Sequence, residues 1–169
     1  MKYVGKNIPR NDGFDKATGL GQFTMDVSMP HMLYARVLRS PYAHAKVVKI
    51  DTSAAEALPG VVTVCTFENT TNKPFNTSAT MVTTPRPAEP VRDQTIFTDE
   101  PKYIGDEVAA VAAETEAIAA EAIKRIKVEY EVLPAVYDPV EALKPDSPEV
   151  QPLYGNKEHH NVCGEIVRV

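Results

Sequence analysis

An α+β fold is the prediction from this sequence, and three observations carry it. An all-apolar run at Val108–Ala113 and an alternating run at Val128–Val132 bracket a helical apolar stripe over 116–127, which makes a strand–helix–strand unit. Two strand-like runs, Met32–Leu38 and Lys46–Ile50, flank the turn signal Ser40-Pro41. A third short strand, Val61–Cys65, follows a helix that Pro59-Gly60 must end.

Taken in order, residues 1–31 hold Gly5, Pro9, Gly13, Gly19, Gly21 and Pro30 with little periodicity and read as an extended, turn-rich lead-in. The fold core is expected over 32–143. After its first two strands, Asp51 or Thr52 can cap the short helix through Ala54, Ala55 and Leu58. Residues 66–94 are rich in Thr, Asn and Pro, the composition of a long surface excursion that carries function or meets a partner. Val108–Ala113 has no polar position, as expected of a strand buried on both faces. Glu114-Thr115 starts the following helix, whose charges suit its dipole, with Glu116 early and Lys124, Arg125 and Lys127 late. Were the two strands of this unit parallel, the crossover would be right-handed. Asp138-Pro139 caps a short helix through Leu143. Residues 144–169 read as a linker and the start of a further region, because the strand-like Glu165–Val169 stops without a turn.

The chain has 169 residues, 43% of them hydrophobic, enough for one compact domain and too apolar for a disordered tail. A formal charge of -5 gives no global attraction for nucleic acid or anionic lipid. No apolar run approaches the roughly 20 residues of a membrane span, and the first residues lack a signal peptide, so a cytoplasmic location is expected. Cys65 and Cys163 make neither a disulfide framework nor a four-thiolate iron–sulfur site.

Candidate chemistry is sparse. Gly19-Leu20-Gly21 lacks the third glycine and the preceding strand of a phosphate loop. His159, His160 and Cys163 could supply three metal ligands, but in an irregular tail with no second ligand cluster they read as solvated. Asp99-Glu100 and Asp106-Glu107 are adjacent carboxylates, which extended backbone aims to opposite sides, so they read as turn residues rather than acid–base pairs. Asn69-Thr70-Thr71 and Asn76-Thr77-Ser78 fit the glycosylation pattern without a secretory signal. Ser40 and Ser53 lack a nucleophile-elbow context. Arg39, Ser40 and His44 bracket the first turn; they read either as a contact with another domain or subunit or a substrate-side group, or as a turn stitched by bonds to backbone carbonyls. No residue is assigned a catalytic, cofactor-binding or metal-binding role.

Together these segments resemble a known family. Arg10-x-Asp12, Lys16-x-Thr18-Gly19, Phe23-x-x-Asp26, Pro30-x-Met32-Leu33-Tyr34, Leu38-Arg39-Ser40-Pro41-x-Ala43-His44-Ala45 and Ile50-Asp51-x-Ser53 are similar to the start of the molybdenum-binding subunit of the xanthine dehydrogenase and aldehyde oxidase family. Pro59-Gly60-Val61, Tyr103-Ile104-Gly105-x-x-Val108-Ala109-Ala110-Val111-x-Ala113-Glu114 and Val128-x-Tyr130-Glu131-x-Leu133-Pro134-x-Val136 resemble the rest of that family's α/β hammerhead domain, so the likeness spans about residues 8–143. Glu107 stands where the family commonly has proline, and Gln22 is a second departure.

The resemblance implies an α/β hammerhead with a barrel-sandwich-like β core beside the strand–helix–strand unit. It implies a subunit that inserts water-derived oxygen into a purine, another N-heterocycle or an aldehyde. Molybdopterin with molybdenum is expected in the full subunit, and iron–sulfur centres and FAD in partner subunits or domains. The family's catalytic glutamate and molybdopterin loops follow the hammerhead, so these 169 residues are expected to be structural and inactive alone. The expected partners are the molybdopterin-binding region of the same subunit and the iron–sulfur and FAD parts. A freestanding scaffold or partner-binding module without redox activity is the alternative. A biotin or lipoate carrier fits less well, since Lys46 and Lys49 fall inside a strand rather than in a hairpin turn.

Overall fold

The computed structural model describes residues 4–75, 92, 94–150 and 161–162. It divides into two compact units, Met1–Met32 and Leu33–Val169. The first unit, expected as an extended, turn-rich lead-in, also contains a short helix, α1 (Gly13–Thr18). Local contacts that periodicity does not reveal hold this helix. Asp12 pairs with Arg10 at 3.0 Å and, across the first turn, with Lys16 at 2.6 Å. Gly19, with φ 76°, ends the helix, and the Gly21 amide donates to the Asp15 carbonyl at 3.0 Å. Gly19-Leu20-Gly21 is thus a helix exit. A 3₁₀ turn at Thr24–Asp26 follows, with Asp26 Oδ2 accepting from the Phe23 amide at 2.9 Å.

The second unit mixes short helices with two small antiparallel sheets. One sheet has β1 (Tyr34–Arg39) and β3 (Val61–Thr66) on either side of β4 (Glu107–Ala113); the other pairs β2 (Ala45–Asp51) with β5 (Lys127–Val132). The chain therefore leaves the Ser40-Pro41 turn for a different sheet. The same happens across α3 (Glu116–Ile123), since β4 and β5 have no pairing with each other and the parallel crossover does not arise. The segment after the long excursion joins the sheets. Thr98 N donates to Glu107 O at 2.9 Å, beyond the last β3 partner of β4, while Val47 N and Ala45 N of β2 donate to Asp99 O and Pro101 O at 2.7 and 3.1 Å.

Cross-strand partners share a face. On one face of the three-stranded sheet Leu38, Ala109 and Thr66 lie abreast, then Arg36, Val111 and Val64. The helices α2 (Ser53–Glu56) and α3 cover this face, and Ala55, Val64, Ala109, Val111, Ala122 and Ile126 form the buried core there. Arg36 reaches from β1 to an ion pair with Glu116 at the start of α3. Thr115 caps α3, its Oγ1 accepting from Ile118 N at 3.2 Å. The helix stops at Ile123, short of the expected Lys127. Arg125 N bonds back three residues to Ala122 O at 3.0 Å, and this tighter turn accompanies the entry of Ile126 into the core, 7% exposed.

At α2, of the two expected cap residues, Asp51 supplies the side-chain bond and Thr52 does not. Thr52 is at the cap position without a side-chain bond to the helix amides, and Asp51 Oδ1 instead accepts from Ser53 N at 3.1 Å and Ser53 Oγ at 2.6 Å. After Pro59, Gly60 turns the chain into β3 with φ +87°. The excursion over 66–94 is closed at its base by reciprocal backbone bonds between Phe75 and Gln94, 2.8 and 3.2 Å. Its middle, including Asn76-Thr77-Ser78, lies outside the described residues. Asp138 caps α4 (Pro139–Ala142), its Oδ1 accepting from Val140 N at 2.7 Å and Glu141 N at 3.1 Å. His159, His160, Cys163 and the strand-like 165–169 lie outside the described residues. No helix among the described residues is long and apolar enough to cross a membrane.

Candidate functional site

Arg39 ends β1, and Ser40 and His44 fall on the connection from β1 to β2, where the two sheets diverge. Ser40 is 2% exposed, and its backbone and hydroxyl are both bonded. Its amide donates to Asp106 O at 2.8 Å and its carbonyl accepts from Gly105 N at 2.9 Å. Its hydroxyl donates to Tyr42 O at 3.0 Å and accepts from Tyr42 N at 3.1 Å. A hydroxyl held in this way is a turn staple, with no orientation toward His44 as a nucleophile.

Arg39 Nη1 donates to the Gly105 carbonyl at 2.7 Å and to Glu107 Oε1 at 2.6 Å. Glu107, the departure from the family's proline, is therefore the residue that ties the start of β4 to the end of β1, at a register shift between Leu38 and Arg39. His44 Nδ1 is 2.8 Å from the Pro134 carbonyl. Facing a carbonyl oxygen, that nitrogen must carry the proton and donate. Nε2 then faces Glu100 Oε1 at 3.5 Å, a pair that becomes ionic when His44 is protonated. The His44 carbonyl also accepts from Leu133 N at 3.0 Å, so backbone and side chain together fasten β2 to the chain leaving β5.

The two acidic pairs separate as extended backbone requires. Asp99 contributes its carbonyl to β2 while Glu100 turns to His44. Asp106 is tucked against the turn, its Oδ2 accepting from Lys102 N at 3.0 Å and its Oδ1 from Glu107 N at 3.2 Å. Burial holds the Asp106 carboxyl above the usual carboxylate range, against the pull of the Lys102 and Glu107 amides. Burial likewise raises the Tyr103 phenol, with the negative charge of Asp106 adding to it. Sequence reasoning passed over Tyr103, whose only signal was its place in the Tyr103-Ile104-Gly105 motif.

Beside the turn is an open groove of about 320 Å³ lined by His44, Tyr103, Ile104, Pro134, Tyr137 and Val150, among others. Ile104 and Tyr137 are 65% and 80% exposed, large apolar side chains in a place where water gains nothing from them. On the other side of the turn Tyr42 meets Tyr130 edge to face, ring centres 5.3 Å apart. Among the described residues no group of three or more His, Cys, Asp or Glu is arranged to hold a metal ion. The arrangement can brace two sheets and present an apolar surface. It offers no nucleophile with a base.

Residues 18–134 match the family model described as aldehyde oxidase and xanthine dehydrogenase, a/b hammerhead domain. A probable xanthine dehydrogenase subunit from Bacillus subtilis (strain 168) is 40% identical over 82% of the chain and 17% of that protein. The xanthine dehydrogenase molybdenum-binding subunit of Escherichia coli O157:H7 is 35% identical over 82% of the chain and 18% of that protein. The crystal structure of the aldehyde oxidoreductase from Desulfovibrio desulfuricans ATCC 27774 superposes with a TM-score of 0.77 at 31% identity, over 94% of this chain and 17% of that one. The chain thus spans less than a fifth of the length of each of these proteins.

Proposed function

Because the chain belongs to the aldehyde oxidase and xanthine dehydrogenase family through its a/b hammerhead domain, we propose that it serves a molybdenum hydroxylase subunit as a structural rather than a catalytic element. The observation that carries this reading is the hammerhead match over 18–134, set against relatives of which the chain covers only 17% and 18%. The reaction of the complete subunit is then the oxidation of a purine, another N-heterocycle or an aldehyde. Molybdopterin-bound molybdenum supplies the oxidation when present, and electrons pass on to iron–sulfur centres and FAD in partner subunits or domains.

The described residues do not fit that cofactor. They hold no group of three or more metal-ligating side chains, and the polar side chains of the first turn are bonded within the turn or to neighbouring segments of the chain. No step of the reaction is therefore assigned to this chain. Its work is to shape and brace. The turn at Arg39, Ser40 and His44 and the excursion over 66–94 are the contacts to the molybdopterin-binding region and to the electron-transfer partners, in the cytoplasm.

The test is to express the complete open reading frame, measure molybdenum in the purified protein, and assay hydroxylation of hypoxanthine, nicotinate and an aldehyde. Bound molybdenum with turnover on one of these is expected, along with no turnover by the 169-residue chain alone. Exchanging Arg39 and His44 for alanine in the complete protein should lower assembly. A stop codon directly after Val169 in a molybdenum-free protein, or turnover by the chain alone, would sink the reading.

A further inference from the structure

We propose that the second face of the three-stranded sheet is the seat of the continuing polypeptide of the same subunit. This rests on the subunit reading above. Opposite the helix-covered face, Ala35, Ala112 and Thr63 lie abreast, followed by Val37, Ala110 and Cys65. All six are uncharged. The strand at the centre, β4, is all-apolar from Val108 to Ala113, a composition suited to a strand with both faces covered. Yet α2 and α3 cover one face only; on the other, Val108 at the entry to β4 is 0% exposed, and the opening begins beyond it. Ala110 and Ala112 stay partly open, Val37 is 41% exposed, and Val62, where β3 shifts register, is 55% exposed.

The choice of occupant follows from size and chemistry. Six small side chains fall well short of the roughly 800 Å² per partner that a stable interface between separate molecules needs. A second copy of this chain, or a freely diffusing partner, therefore gains too little from this face alone. A segment of the same polypeptide needs far less area, because covalent connection gives it a high effective concentration. The related proteins are long enough to supply such a segment, as the chain spans 17% and 18% of two of them. A face without charge fits an apolar segment that packs closely on a small-residue surface, as at the core of a permanent interface.

Cys65, a free thiol on this face, reports its coverage. The experiment is alkylation by N-ethylmaleimide under native conditions, read at the Cys65 peptide by mass spectrometry. It compares the product of the complete reading frame with the 169-residue chain. Cys65 should react at least about tenfold more slowly in the complete protein, since reaction then waits for local opening. Ala112→Asp in the complete protein should restore fast reaction. Equal rates in the two proteins overturn the proposal. So does slow reaction in the 169-residue chain, whether constant, meaning that the chain covers its own face, or appearing only with dimer formation, meaning that a second copy does. Molybdenum content in the same preparation separates the two readings. A molybdenum-free protein with protected Cys65 sinks the hydroxylase reading and leaves the covered face standing, and a molybdenum-loaded protein with reactive Cys65 does the reverse.

Discussion

The two faces of β4 are made from the same kinds of residue and meet opposite fates. Ala109, Val111 and Ala113 are 0% exposed under α2 and α3, whereas on the other face burial stops at Val108, also 0% exposed, and Ala110 and Ala112 remain partly open. Alternation along a strand assigns neighbours to opposite faces, so composition states that both faces suit burial without stating what buries them. On the closed face the answer comes from nearby sequence, in helices that pack within a few residues of β3 and β4. On the open face nearby sequence closes over Val108 and leaves Ala110 and Ala112 partly open.

The sharpest way to break this comparison is to place the same charge on each face. In Val111→Asp the carboxylate has no partner in the core, and such an uncompensated buried charge costs roughly 3–5 kcal/mol. In Ala112→Asp the new carboxylate keeps contact with water, and the cost should be about 1 kcal/mol, mostly poor strand propensity. Urea unfolding of the two variants of the 169-residue chain measures both. Equal losses would mean that the second face is closed within this chain.

A smaller effect gauges how tightly the closed face is packed. Gly60 has φ +87°, and a Cβ built there would stand 2.6 Å from Ile118 Cδ1 on α3. Gly105 has a similar φ of +99° with nothing within 4 Å. Alanine at either position costs about 1–2 kcal/mol for the left-handed backbone. At Gly60 the shift of Ile118 adds to it, so Gly60→Ala should unfold at lower urea than Gly105→Ala. Coincident midpoints would show that Ile118 yields freely and that the packing of α3 on this face is loose.

The resemblance in motif order and the strand–helix–strand unit made much of the second unit legible in advance. Val108–Ala113, the stripe with Ile118, Ala119 and Ala122, and the caps Thr115 and Asp138 are local patterns with local causes, and the structure follows them. What periodicity missed is set by contacts across the sequence or by single polar atoms. The distribution of β1 and β2 into different sheets depends on β4 and β5, far along the chain. Helix α1 depends on Asp12 gathering Arg10 and Lys16, too short a feature to leave a 3.6-residue period. The first turn was readable as a turn, and the bonds of Arg39 and His44 to the carbonyls of Gly105 and Pro134 are one of the two forms expected for it. The groove beside it was not readable, because Ile104, Tyr137 and Val150 come from three separate segments.

The smallest expected effect concerns the entry to β4, where the two faces begin. Burial raises the Asp106 carboxyl above its ordinary value. Between that ordinary value and the raised one the folded chain binds more protons than the unfolded chain, so stability falls as pH rises through this window and levels off above it. Asp106→Asn, which cannot ionise, should remove this part of the slope. Urea midpoints of the wild type and the variant, compared from about pH 3 to about pH 6, read the difference directly. The faces of β4 themselves carry no titratable side chain after Glu107, so the lost slope belongs to the polar entry and not to either face. Parallel pH profiles would place Asp106 in water, and the Lys102 and Glu107 amides would then have to find other acceptors.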